Sequence, residues 1–290
     1  MHCHKLLTAT VLVCLLVGCS TLSPPNLDGM TFSDEPLIGK AIWYDLVTED
    51  PDAAVPFYEG LFGWRFEPAT AVGGPDYRVA RLGDVFIAGM VAVESRADGR
   101  EQARWLPYIS VADVDASVNV AVREGGSVAA SARSVPLGRV AAIIDPEGAV
   151  IGLASSTIGD PDDATTAAGP GKIVWTELLS NDPLAAAAFY QAVVDYDVRT
   201  IQRRGGDYTL LGQSAIDRAG ILQTPVAEWS PVWLTYFGVP DAAAAAARAE
   251  ALGGQILIPS SPELRDGAMS VVEDPTGALL VLQQWSRTGM

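Results

Sequence analysis

The stretch Trp43-Tyr-Asp-Leu-Val-Thr-Glu-Asp-Pro-Asp-Ala-Ala-Val-Pro-Phe-Tyr58 occurs twice in this chain. Its echo is Trp175-Thr-Glu-Leu-Leu-Ser-Asn-Asp-Pro-Leu-Ala-Ala-Ala-Ala-Phe-Tyr190, 132 residues later, with eight of sixteen positions identical. Both copies read as a short strand followed by a helix. Asp50 or Asp182 is placed to accept the free N–H groups of the first turn, and Pro51 or Pro183 stands where a missing N–H costs nothing. The Phe-Tyr pair that follows can face a sheet. Duplication therefore governs the reading of everything else.

The correspondence continues outward from these two stretches. Tyr77-Arg-Val-Ala is answered by Tyr208-Thr-Leu-Leu, Ala88-Gly-Met by Ala219-Gly-Ile, and Trp105-Leu-Pro-Tyr108 by Trp233-Leu-Thr-Tyr236. Gly125-Gly126 is answered by Gly253-Gly254, and Asp145-Pro-Glu-Gly148 by Asp274-Pro-Thr-Gly277. Lys40 and Lys172 also correspond. In each half the order reads βαβββ twice, with Asp113 capping a second helix in the first half. Pro56 falls inside the first helix, where it removes a backbone bond and is expected to kink the chain. Residues 156–171, which hold the Asp160-Pro-Asp-Asp163 cluster, read as a solvated linker.

The 290 residues carry a formal net charge of −16, which excludes nucleic acid as a partner, since that needs a basic footprint. The apolar run Leu6–Val17 is short for a membrane span and fits a secretory signal core. Its end, Leu16-Val17-Gly18-Cys19, resembles a bacterial lipobox. That resemblance implies cleavage before Cys19, lipidation of Cys19, and a place in the cell envelope on the outer membrane or periplasmic face. The expected organisation is a signal peptide over 1–18, a tether over 19–36, domains over 37–156 and 172–287, and a linker over 157–171. All three cysteines and both histidines lie at or before residue 19. The remaining chain has no disulfide, no thiolate nucleophile, no Ser-His-Asp triad and no zinc site built from His or Cys.

The duplicated βαβββ modules, the strand–Asp-Pro–helix–Phe-Tyr opening and the Asp-Pro-x-Gly turn before the last strand resemble the vicinal oxygen chelate superfamily. That group includes glyoxalase I, bleomycin-resistance proteins and extradiol dioxygenases. The resemblance covers about residues 38–156 and 171–286. It implies an α+β fold of tandem glyoxalase-like domains, each made of two βαβββ modules whose mixed sheets curve into a cup. Metal-dependent members place a His on the first strand of a module and a Glu after the Asp-Pro-x-Gly turn. Here the matching positions are Trp43, Trp175, Leu106, Leu234, Gly152 and Val281, none of which ligates a metal through its side chain. No metal and no cofactor is therefore expected.

Strand alternation puts residues two apart on one face. If Trp43 faces the cup, so does Asp45; likewise Trp175 pairs with Glu177, and Tyr108, Tyr236 and Gln283 point inward. An indole, a carboxylate and a phenol suit a cationic or aromatic small molecule. The same residues also suit a packed core in which the acid is satisfied by a tyrosine. Arg78 and Arg81 lie three apart, so only one of them can face the cup. Two functions follow: a lipid-anchored protein that binds or sequesters a small molecule without metal, or an enzyme of the lyase, isomerase or dioxygenase type with a carboxylate base or an atypical metal site. The sequence leaves the catalytic residues, the ligand and the oligomeric state open.

Overall fold

The computed structural model describes residues 30–95, 103–163, 168–203, 205–225 and 229–285. The signal peptide, Cys19 and most of the expected tether lie outside the described residues.

In the first half, β1 (Ala41–Thr48), α1 (Pro51–Phe62), β2 (Arg65–Pro68), the single turn α2 (Thr70–Gly73), β3 (Arg78–Leu82) and β4 (Val85–Ala92) form one module. β5 (Arg104–Ser110), α3 (Val114–Arg123), β6 (Ser127–Val135), β7 (Gly138–Ile144) and β8 (Val150–Ser156) form the next. The second half repeats them as β9 (Ile173–Ser180), α4 (Pro183–Val194), β10 (Asp197–Arg203), β11 (Gly206–Gln213) and β12 (Ile216–Gln223), then β13 (Val232–Val239), α5 (Ala242–Ala251), β14 (Gln255–Ile258), β15 (Met269–Glu273) and β16 (Leu279–Gln284). Each half builds one eight-stranded mixed sheet, ordered β2-β3-β4-β1-β5-β8-β7-β6 and β10-β11-β12-β9-β13-β16-β15-β14. The two domains are thus tandem α+β units of the expected kind.

All four long helices start as the sequence dictates. Asp50, Asp113, Asp182 and Asp241 each accept a hydrogen bond from the backbone N–H three residues on, at 3.0, 3.0, 3.1 and 2.8 Å. Helix α1 runs unbroken through Pro56. Pro56 and Asp52, whose carbonyl loses its partner, both lie on the exposed face. Water can take that carbonyl, so the proline is tolerated.

The helices lie between the two sheets, and the packing is crossed. Phe57 and Tyr58 of α1, with Trp64 and Trp105, share a core with Phe237, Ala246 and Leu280 of the second half. Phe189, Tyr190 and Val193 of α4 share another with Val114, Ile151 and Leu153 of the first. The Tyr58 hydroxyl donates to Asp274 Oδ2 at 2.8 Å and accepts from Trp105 Nε1 at 2.9 Å. Tyr190 donates to Asp145 Oδ2 at 2.9 Å and accepts from Trp233 Nε1 at 2.9 Å. Each Phe-Tyr pair therefore docks on the Asp-Pro-x-Gly turn of the other half. Burial, followed by the facing carboxylate, pushes both phenols well above their usual range.

The linker departs from expectation. Asp160 is 1% exposed and accepts from Ser110 Oγ at 2.6 Å and Leu37 N at 2.7 Å. Asp163 pairs with Lys40 of the first half at 3.0 Å and with Arg218 of the second at 2.8 Å. Phe32 makes a bridge to Pro161. The cluster is a clasp rather than a solvated run, because local donors compensate the buried carboxylate.

Candidate ligand cups

Leu46 and Tyr44 pack toward the helix-side core, so Trp43 and Asp45, which alternate with them along β1, project from the opposite, concave face of the first sheet. β1 pairs with β5 so that Trp43 lies opposite Tyr108, and β5 pairs with β8 so that Tyr108 lies opposite Gly152. Two side chains converge on one carboxylate oxygen. Trp43 Nε1 donates to Asp45 Oδ1 at 2.9 Å and to the Tyr77 hydroxyl at 2.8 Å, and Tyr77 donates to the same Oδ1 at 2.7 Å. Tyr108 lies close enough to Asp45 to bear on its ionisation.

Strand parity does not reach Tyr77, which precedes β3. Its approach depends on Gly89, where a Cβ would stand 1.9 Å from the Tyr77 hydroxyl and 2.2 Å from Asp45 Oδ1. Gly220 makes the same room for Tyr208. The duplicated tyrosines facing duplicated Ala-Gly pairs were the sequence signal for both.

Asp45 is 5% exposed, and burial raises its pKa above the usual carboxylate range, against the hydrogen bonds from Tyr77 and Trp43, the nearby Tyr108 phenol and the field of Arg133. Burial, then the Asp45 charge, pushes Tyr77 and Tyr108 far up, so both phenols keep their protons at neutral pH. Around this floor lies a cavity of about 510 Å³, walled by Val79, Phe86, Leu137 and Val140 among others and edged by Met30 and Phe32. Arg81 and Arg139 reach its wall but are paired, with Glu67 at 3.3 Å and Asp115 at 2.7 Å. Arg78 turns away to Asp52 at 3.4 Å.

The second cup has the same floor and a different filling. Trp175 donates to the Tyr208 hydroxyl at 2.9 Å, and Tyr236 donates to Glu177 Oε1 at 2.5 Å. Glu177 is 1% exposed. Its other oxygen accepts from Arg265 Nη2 at 3.3 Å, and the guanidinium lies 5.3 Å from the centre of the Tyr236 ring. Gln283 accepts from Arg265 Nη1 at 3.2 Å and donates to Ala268 O at 3.0 Å, so it steadies the arginine. Burial opposes the Arg265 charge, but Tyr236, Glu177 and Tyr208 outweigh it and raise its pKa. Leu234, Met269, Val271 and Val281 pack as a separate core on this concave side.

Two sequence differences produce the contrast. Val281 pairs with Val271 and Tyr236 where Gly152 pairs with Ala142 and Tyr108. The connection from β14 to β15, residues 259–268, replaces the two-residue turn 136–137 and carries Arg265 into the cup. Arg265 and Asp266 adopt φ of 50° and 56°, a left-handed backbone that non-glycine residues enter at a cost. Arg265 has no counterpart in the first half, so the duplication could not reveal it.

A family model described as "Glyoxalase-like domain" matches residues 41–154, and one described as "Glyoxalase/Bleomycin resistance protein/Dioxygenase superfamily" matches residues 172–282. The chain belongs to this superfamily. It is 35% identical over 246 residues to "Putative glyoxylase CFP32" of Mycobacterium tuberculosis, covering 83% of this chain and 93% of that protein. It is 27% identical over 238 residues to "Anthracycline biosynthesis protein DauV" of Streptomyces sp., covering 75% and 83%. Two solved structures share the fold. The Mn(II)-bound glyoxalase from Novosphingobium aromaticivorans superposes with a TM-score of 0.54 at 16% identity, over 86% of this chain and 83% of that one. The 2,2',3-trihydroxybiphenyl 1,2-dioxygenase of Sphingomonas wittichii does so with 0.56 at 12%, over 86% and 91%.

The first of these neighbours is Mn(II)-bound, and the donors of these cups do not fit such an ion. Among the described residues no three His, Cys, Asp or Glu side chains cluster. The first cup offers one carboxylate whose Oδ1 already accepts from an indole and a phenol. In the second, the carboxylate is engaged by Tyr236 and Arg265. Gly152 and Val281 stand where the superfamily resemblance expects an acidic ligand.

Proposed function

We propose that the first cup binds a small cationic, aromatic molecule without a resident metal. The observation that carries this reading is the second cup, where the protein's own Arg265 sets a planar cation against the equivalent carboxylate and phenol. The first cup has the same floor and a cavity in place of that arginine. A ligand's cationic group would meet Asp45 there, with its ring against Trp43 and Tyr108. Such a contact combines a charge-assisted hydrogen bond with a cation–π term of about 0.5–2 kcal/mol.

Benzamidine, with neutral benzamide as its control, tests this. Benzamidine is expected to quench Trp43 fluorescence, and Asp45→Asn to weaken it roughly tenfold, or about 1.4 kcal/mol, without weakening benzamide. The sign of the pH dependence follows from ionisation. A cation needs the carboxylate, so affinity is full above the pKa of Asp45 in the empty cup and falls as pH drops through it. Because burial raises that pKa, the fall begins at higher pH than for an exposed aspartate. Equal affinity for the two probes would sink the reading.

An enzymatic reading draws on the same acid and on the relatives' names. Asp45, held with a raised pKa beside two protonated phenols, has the makings of a general base with tyrosine donors. Turnover of a glyoxalase-type substrate that disappears in Asp45→Asn would favour it over simple binding. We further propose that the protein is anchored to the cell envelope through lipidated Cys19. Cys19→Ala is expected to move it from the membrane fraction to the soluble one, and unchanged partitioning would remove the anchor.

A further inference from the structure

A second cavity, of about 220 Å³, lies between the two halves, against the first strands β1 and β9. Lys40 and Lys172, the two lysines related by the duplication, both line it, as does Arg218 of β12. In a chain of net charge −16 this is an unusual gathering of cations. Its acids are already engaged: Asp163 bridges Lys40 and Arg218, Asp162 adds its field at Lys40, and Asp217 is paired with Arg199 at 2.9 Å.

The pairing leaves donors over. The Arg218 side chain is 8% exposed; Nη1 reaches Asp163 at 2.8 Å, but Nε is buried and has no partner among the described residues. Lys172 has no ion pair among them either. A buried guanidinium N–H without an acceptor is costly, and a group that supplies the missing acceptor would recover that cost. Asp163 already shows the cluster holding an oxyanion, supplied by the linker.

We propose that this cleft is a binding site for a small oxyanion, a phosphate or carboxylate group held by Arg218 Nε and Lys172 Nζ. It adjoins the first cup, sharing Trp43 and Phe86 with it, and does not rest on the function proposed for the cups. Trp43 and Trp175 both border the cleft, so occupancy is readable in their fluorescence.

The test titrates the full chain with inorganic phosphate at constant ionic strength, with chloride as the control, by calorimetry and tryptophan fluorescence. Glycerol phosphate in a parallel arm separates a free-ion site from one for a phosphorylated molecule. Phosphate is expected to bind saturably. Arg218→Lys keeps a charge for Asp163 but removes the Nε donor, and Lys172→Met removes a side chain that has no ion pair among the described residues. Each should weaken phosphate roughly tenfold, the factor carried by about 1.4 kcal/mol. A response equal to that of chloride, or affinity unchanged in both variants, overturns the site. Loss in Lys172→Met alone overturns the role of Arg218 Nε.

Discussion

Gly152→Val is expected to abolish binding in the first cup, weakening benzamidine roughly a hundredfold or more, about 2.7 kcal/mol, while the chain still folds. Gly152 lies opposite both Tyr108 and Ala142. A Cβ there would stand 2.4 Å from Tyr108 Cδ1, so the ring must swing. The second half shows that such a ring can be accommodated: Val281 lies opposite Tyr236, and Tyr236 bonds the acid of its cup. The valine methyl groups and the displaced phenol would then occupy the space a ligand needs. Overpacking of this kind costs about 1–3 kcal/mol, so a modest fall in melting temperature should accompany the loss. Retained benzamidine quenching in a folded variant would show that the ligand lies elsewhere.

Tyr190→Phe is expected to destabilise the protein by about 2–4 kcal/mol, through the junction of the halves rather than through either cup. Removing the hydroxyl takes a donor from Asp145 Oδ2 and an acceptor from Trp233 Nε1, and each orphaned buried group costs about 1–3 kcal/mol. Asp145 keeps the backbone N–H groups of Glu147 and Ala149, at 3.0 and 2.9 Å, which limits the loss on its side. Chemical denaturation measures the effect, and Tyr58→Phe should reproduce it at the other junction. A change below about 0.5 kcal/mol would mean that water replaces the phenol and that the crossed bonds are incidental.

Much of this fold could be read from local chemistry. Asp50, Asp113, Asp182 and Asp241 cap helices because a short acid before an apolar period has little else to do, and the Asp-Pro-x-Gly turns fixed the last hairpin of each half. Strand parity placed Trp43 with Asp45, and Trp175 with Glu177. Residues that act across chain distance were harder to see. Tyr77 and Tyr208 reach the cups only because Gly89 and Gly220 lack side chains, a relation visible only once β3 and β4, or β11 and β12, are paired. Arg265 sits in a connection unique to the second half. Asp160 and Asp163 resembled solvated linker charge because nothing in the sequence says that Ser110, Lys40 and Arg218 converge on them.

The crossed tyrosines have an ancestral meaning. Tyr58 reaches Asp274 and Tyr190 reaches Asp145, so each copy gives the other what it receives. Such reciprocity is the signature of an isologous contact, the kind that joins two identical subunits about a two-fold axis. The chain has the form of a fused homodimer. Fusion makes association intramolecular and therefore independent of protein concentration. It also lifts the constraint that both subunits carry every mutation. One cup can therefore hold Arg265 and Val281 as a buttress while its twin holds a chamber.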